Sequence, residues 1–129
     1  CDGLDYAENT VAVVLTAALQ EMALMNKKMG GEKETMFNLC GMGDLLATSM
    51  CKDSRNRRFG KYLATGNTPK QALEKVSQTV EGYKAVDVLL QLGRKYRVKM
   101  PLAELVYDVA YKKVNPKKGM EDFLRQYKG

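Results

Sequence analysis

Between Cys40 and Gly60 the chain reads CGMGDLLATSMCKDSRNRRFG, and it gathers glycine, carboxylate, hydroxyl and arginine more tightly here than anywhere else. Ser54 is a good N-cap, and Phe59, Tyr62 and Leu63 follow at helical spacing, which predicts a helix starting at Arg55. Arg55, Arg57 and Arg58 then crowd the positive end of the helix dipole, where each cation is disfavoured by about 0.3–1 kcal/mol. An anion bound at that helix start turns the cost into a gain, because free N–H groups, the dipole and the guanidinium forks all meet the same oxygens. Phosphate suits this donor set. Asn56 adds an amide that donates to a phosphate or hydroxyl oxygen and accepts from a hydroxyl, which fits a small polyol phosphate better than a bare ion.

The first half of the stretch reads as a tight entry into a short helix. Gly41 and Gly43 free the backbone for positive φ, and Asp44 stands just before Leu45, Leu46 and Ala47. Asp44 has two readings. It can be a plain N-cap, or, sharing a helix face with Thr48 at i, i+4, it can offer a carboxylate beside a hydroxyl to a ligand. Thr48 in turn can serve a ligand or back-bond to a carbonyl.

GMGDLLATSMCKDSRNRRFG resembles the most recognisable segment of the NAD(P)-dependent glycerol-3-phosphate dehydrogenases, roughly G-x-x-D-L-x-x-T, a short variable insert, then (S/G)-R-N-R-R. CDGLDYAENT at Cys1 to Thr10 is similar to the family's CDGLGxGDNT, Gln78 to Gly82 resembles its VVEG element, and MPLAELVY at Met100 to Tyr107 resembles MPIxxxVY. In order, these cover almost the whole chain. The resemblance implies that residues 1–129 are an all-helical C-terminal substrate-binding domain of the kind found in 6-phosphogluconate dehydrogenase. It also implies a nicotinamide-binding Rossmann domain upstream, outside this sequence. The implied reaction moves a hydride between NAD or NADP and C2 of glycerol 3-phosphate or dihydroxyacetone phosphate, supplying glycerol 3-phosphate for phospholipid synthesis. It implies roles as well. Asp44 would be a catalytic positioning group, steadying the ammonium of a lysine upstream of this chain or a substrate hydroxyl. Arg55 would grip the substrate phosphate or charge near the cofactor, Ser54 and Asn56 would bond the phosphate, and Thr48 a glycerol oxygen. Glu81 and the backbone of Thr79 would meet the nicotinamide nucleotide. A cytoplasmic homodimer is implied too. The lysine is not in this chain, so the isolated fragment is expected to be inactive. The family's GDNT is altered to Ala7-Glu8-Asn9-Thr10, with Asn9 and Thr10 retained.

Composition sets the bounds on these readings. A chain of 129 residues suits one domain with a real core. It contains no uninterrupted apolar run of about 18 residues and no charged-then-apolar leader, so neither a membrane span nor a secretory signal is expected. Opening on Cys1 in mid-motif, it reads as a fragment of something longer. With three cysteines and no histidine, neither a disulfide framework nor a metal site is expected, reduced thiols are the default, and a Cys–His pair is excluded within the chain. A net charge of +6 raises an alternative, a basic helical module binding nucleic acid or another polyphosphate partner. The lysine pairs at 27–28, 112–113 and 117–118, however, fall at expected helix ends, and no aromatic-interleaved basic strand appears. A third class, a domain that mainly pairs subunits, also fits the composition.

The elements that must position the site read as helices throughout, because no segment alternates strictly and no Asn-Gly hairpin signal appears. Asn9 or Thr10 can cap a long central helix through VAVVLTAAL, a segment apolar on nearly every side and so suited to burial against several neighbours, stopped by Gly30-Gly31. A short helix is expected over Glu32–Leu39. After the Arg55 helix, Gly66 is a break, and Thr68-Pro69-Lys70-Gln71 signals a capping box that starts a helix burying Ala72, Leu73 and Val76. Glu81 is expected in a loop before a helix from Tyr83 to Tyr96. Pro101 begins a helix burying Leu102, Leu105, Val106 and Val109, and Asn115-Pro116 begins the last, packing through Met120, Phe123 and Leu124. Tyr107 and Tyr111, one turn apart, suit either ligand contact or packing.

Overall fold

Three small cores meet along one helix. The computed structural model describes residues 1–127. Among them the helices are α1 (Glu8–Lys28), α2 (Asp44–Met50), α3 (Arg55–Ala64), α4 (Pro69–Val76), α5 (Glu81–Tyr96), α6 (Pro101–Tyr111) and α7 (Pro116–Gln126), and no strand occurs. The expected all-α bundle is what forms. Ala103 of α6 packs with Met25, Val86, Leu90 and Met100; Ala110 packs with Phe59, Leu63 and Val76; and Leu102 packs with Ala17, Met120 and Phe123. The alanines let α6 approach its neighbours closely, so one short helix joins α1, α3, α5 and α7 into a single body.

Several starts follow local chemistry. The Ser54 hydroxyl accepts from the Arg57 N–H, Thr68 and Gln71 complete the capping box, and the Asn115 side chain accepts from the N–H groups of Lys117 and Lys118. The start of α1 differs from the sequence reading. Ala7 takes the N-cap position in an extended conformation and its carbonyl accepts from Thr10 and Val11, which leaves Asn9 and Thr10 inside the first turn. Glu8 places a carboxylate in that turn, where the dipole favours it. Within these residues α1 buries Ala17, Ala23 and Met25, while Val13, Val14 and Leu15 are half-buried and Leu24 is 40% exposed.

The expected helix over Glu32–Leu39 is a single 3₁₀ turn, Lys33–Phe37, followed by a π-helical turn, Leu39–Gly43. Neither Gly41 nor Gly43 has positive φ; among the described residues the positive-φ glycines are Gly30 and Gly66. What Gly41 supplies is room. It is buried against the backbone of Met36, and a Cβ there would collide with the Met36 carbonyl oxygen and lie 2.6 Å from the Met36 Cα. Asn26 ties the other end of the segment, its Nδ2 donating to the Glu32 carbonyl at 2.7 Å. Two further differences lie on α5 and α6. Glu81 is the first residue of α5 and not a loop residue. Val106 is 46% exposed rather than buried. Tyr107 and Tyr111 stack on one another at 4.7 Å between centroids, and Tyr111 stacks on Tyr83 at 4.5 Å while its hydroxyl donates to the Tyr83 carbonyl. Packing therefore accounts for this pair.

The start of α6 is capped from a distance. Met100 offers no side-chain acceptor, but Glu21 of α1 accepts from the N–H of Leu102 at 2.6 Å and of Ala103 at 3.2 Å. Burial pushes the Glu21 carboxyl above its ordinary range, and the two backbone bonds pull it partly back. Its pKa is raised on folding, so this group favours the fold most below the unfolded pKa, and that contribution falls as pH rises through the folded one. Glu21→Ala leaves two N–H groups without their acceptor and should lower unfolding stability by about 1–2 kcal/mol. Urea denaturation near neutral pH checks this, and a midpoint equal to that of the parent chain would refute it.

Candidate functional site

Three helix ends converge on one open cleft. The C-terminal half of α2 brings Ala47 and Thr48, the connection to α3 brings Cys51, Asp53 and Ser54, the first turn of α3 brings Arg55 and Asn56, and the start of α5 brings Glu81. Together they enclose a cleft of about 460 Å³. The cap on Ser54 explains part of this arrangement. By accepting from the Arg57 N–H, its hydroxyl sets the first turn of α3, and Arg55 leaves that turn exposed at the cleft.

Asn56 joins α3 to α5. Its Oδ1 accepts from the Gly82 N–H at 3.0 Å, supplying α5 with the acceptor that Val80 does not provide. Gly82 has to lack a side chain for this, since a Cβ would stand 2.8 Å from that oxygen. With the oxygen engaged, the Asn56 amide nitrogen is the part left to donate to a ligand. The bond also fixes Glu81, the preceding residue, at the cleft wall.

Of the residues singled out from the sequence, the structure brings together Thr48, Ser54, Arg55, Asn56 and Glu81. Asp44 and Thr79 do not line the cleft. Asp44 is exposed at the first position of α2, one turn before Thr48 on the same helix face. Its reading as an N-cap is overturned: the π-helical turn runs straight into α2, Gly43 occupies the cap position in helical conformation, and Asp44 is itself helical. Thr79 is exposed in the connection before α5. Ser49 is the residue of α2 that folds back, its hydroxyl donating to the Leu46 carbonyl at 2.9 Å.

The three arginines divide. Arg55 reaches the cleft, but Arg57 and Arg58 turn with Lys52 and Lys61 to a second hollow that also holds Asp2. There Arg57 grips Asp2 with both arms of its fork, Nε to Oδ2 at 3.1 Å and Nη2 to Oδ1 at 2.9 Å. That hydrogen-bonded fork holds the Asp2 carboxyl below its usual range. Sequence reasoning missed this pair, although a carboxylate in CDGL and an arginine on α3 were both in view, because nothing local links residues 55 positions apart. It also missed Asp53, a second carboxylate in the cleft wall beside Glu81. The cleft thus offers one guanidinium, one amide and two hydroxyls as donors, with two carboxylates as acceptors. Such a set can hydrogen-bond the hydroxyls of a small molecule, with Arg55 the one cation of the lining able to pair with an anionic group on it.

Residues 1–121 match the family model described as NAD-dependent glycerol-3-phosphate dehydrogenase C-terminus. A glycerol-3-phosphate dehydrogenase [NAD(P)+] of Clostridium botulinum is 37% identical over 127 residues, which is 98% of this chain and 38% of that protein. One from Clostridium perfringens is 41% identical over 111 residues, 86% of this chain and 34% of its own length. The crystal structure of glycerol-3-phosphate dehydrogenase from Coxiella burnetii superposes with a TM-score of 0.92 at 34% identity, covering 97% of this chain and 38% of that one. The chain therefore spans less than two fifths of the length of these relatives. Nothing in the matches supports the nucleic-acid alternative, and no helix among the described residues is long and apolar enough to cross a membrane.

The Asn56 bond can be tested directly. Asn56→Ala leaves the Gly82 N–H without its acceptor and should cost about 1 kcal/mol of unfolding stability, whereas Asn56→Asp keeps an acceptor and should recover most of it. Equal urea midpoints for the two variants would show that the bond contributes nothing.

Proposed function

We propose, for a chain that belongs to the family of NAD-dependent glycerol-3-phosphate dehydrogenase C-terminal domains, that it forms the substrate-binding part of a longer enzyme interconverting dihydroxyacetone phosphate and glycerol 3-phosphate. The single observation that carries the reading is the convergence of Thr48, Ser54, Arg55, Asn56 and Glu81 on one cleft from three separate helix ends. In this reading residues 1–129 are one all-helical domain, and a Rossmann domain preceding them holds most of the nicotinamide nucleotide.

Arg55 grips the substrate phosphate, with Ser54 and the Asn56 amide nitrogen bonding its oxygens, and Thr48 takes a glycerol oxygen. Holding the phosphate away from the reacting carbon spends remote binding energy on orientation, so that C2 lies still while its bond order changes. Asp44, one turn before Thr48, orients the ammonium of a lysine upstream of this chain or a substrate hydroxyl; a carboxylate at neutral pH is the wrong group to donate the proton itself. The donor set also fits a nicotinamide nucleotide, since Glu81 accepts from hydroxyls, Arg55 neutralises phosphate, and the Thr79 backbone lies two residues from Glu81. That cofactor, when bound, supplies or accepts the hydride. The 129-residue chain alone is accordingly inactive. The product feeds phospholipid synthesis. Two exposed thiols, Cys40 and Cys51, support a reducing, cytoplasmic setting, and the complete enzyme pairs as a homodimer.

In the complete enzyme Arg55→Ala should remove several kcal/mol of transition-state stabilisation, about 10²-fold or more in kcat/KM for dihydroxyacetone phosphate. Steady-state NADH oxidation measures it, and a near-normal kcat/KM would discard the role assigned to Arg55.

A further inference from the structure

The cleft carries an excess of negative charge where the proposed substrate would bring a phosphate. Its charged lining sets Arg55 against two carboxylates, Asp53 and Glu81. Among the described residues neither carboxylate forms an ion pair with Arg55, whereas Arg57, two residues on, is held by Asp2. Asp53 has no structural task either. Ser54 and not Asp53 caps α3, by accepting from the Arg57 N–H, and no hydrogen bond among the described residues ends on the Asp53 carboxylate. It stands exposed in the cleft wall, just before the first turn of a ten-residue helix.

We propose that Asp53 is a specificity-determining residue of the cleft: its carboxylate accepts a hydroxyl of a short polyol phosphate and repels phosphate esters that have no hydroxyl to give. The inference rests on the reading of the cleft as the site for dihydroxyacetone phosphate and glycerol 3-phosphate. Arg55 alone is indiscriminate, since a guanidinium pairs with the oxygens of any phosphate. A carboxylate in the same lining penalises every phosphate that enters, because like charges a few ångströms apart repel even in water. A hydroxyl-bearing ester recovers that penalty. An ionised carboxylate accepts hydrogen bonds and donates none, so a ligand hydroxyl gives it a charge-assisted bond. Discrimination then arises from a repulsion shared by all phosphates and a bond that only the hydroxyl-bearing ones can make. Position favours Asp53 over Glu81 for this task. Asp53 adjoins Ser54, which in the same reading bonds the phosphate, whereas Glu81 opens α5 and is assigned to hydroxyls of the nicotinamide nucleotide.

The test uses the complete enzyme with NADH present, so that glycerol 3-phosphate and methyl phosphate each bind without reacting. Calorimetric titration gives both dissociation constants, and the methyl phosphate value divided by the glycerol 3-phosphate value is the selectivity. Asp53→Asn removes the charge but keeps an oxygen acceptor, and it should lower that ratio about fivefold or more, chiefly by tightening methyl phosphate. Asp53→Ala, which removes the acceptor as well, should lower it at least as far. Asp122→Asn makes the same change of charge on α7, outside the cleft lining, and should leave the ratio within about twofold of the parent. A ratio unchanged by Asp53→Asn would overturn the proposal. So would an equal fall in Asp122→Asn, which marks net charge and not the cleft as the cause. NADH oxidation with dihydroxyacetone phosphate by the parent enzyme is measured in parallel. Oxidation with an unchanged ratio rejects the role of Asp53 alone; a lowered ratio in a protein without that oxidation keeps the selector and rejects the dehydrogenase reading.

Discussion

The fold depends on side chains of one helix satisfying the first turn of another. Every α-helix begins with N–H groups that have no partner inside it, and neither α5 nor α6 has a capping side chain next to it in sequence. Glu21 reaches across from α1 to α6, and Asn56 reaches across from α3 to α5. Because α6 contributes to all three cores, the Glu21 carboxylate fixes the element through which those cores communicate. Because α5 begins with Glu81, the Asn56 amide fixes a wall of the cleft. Hydrophobic burial gives the helices reason to associate; these two side chains, with three hydrogen bonds between them, help set how they are aligned.

Short-range chemistry was legible from the residues alone. Ser54, the Thr68 and Gln71 pair and Asn115 cap as their types and spacing require, because the acceptor and the free N–H are separated by two or three residues and no tertiary contact can compete. Most of the candidate site was legible for the same reason, since Ser54, Arg55 and Asn56 travel together on one turn. What escaped was set by packing. Gly41 reads as a turn residue, but its place is decided by the Met36 backbone pressing against it, inside the π-helical turn that runs into α2 at Asp44. Val106 reads as core because its period is right, and α6 exposes it because no partner within these residues covers it.

The same helix start shows how charge is partitioned. Three arginines on one turn look like a single anion trap, yet Arg55 lines the cleft while Arg57 and Arg58 line the hollow that holds Asp2. Asp2 neutralises Arg57 at the surface, where such a pair is worth less than about 1 kcal/mol. Its larger effect is on direction. With Arg57 held back against the N-terminal turn, Arg55 is left as the guanidinium that faces the cleft.

The stacked rings of Tyr83, Tyr111 and Tyr107 have an optical consequence. The chain has seven tyrosines and no tryptophan, so its near-ultraviolet absorption and emission come almost wholly from phenols. Three of these rings lie face to face across α5 and α6, with Phe59 edge-on to the first. The Tyr107–Tyr111 coupling lies within α6, so the part of the exciton-split circular dichroism that is lost when α5 slides along α6 is the Tyr83–Tyr111 part, which makes that component a built-in spectroscopic gauge of the one helix contact.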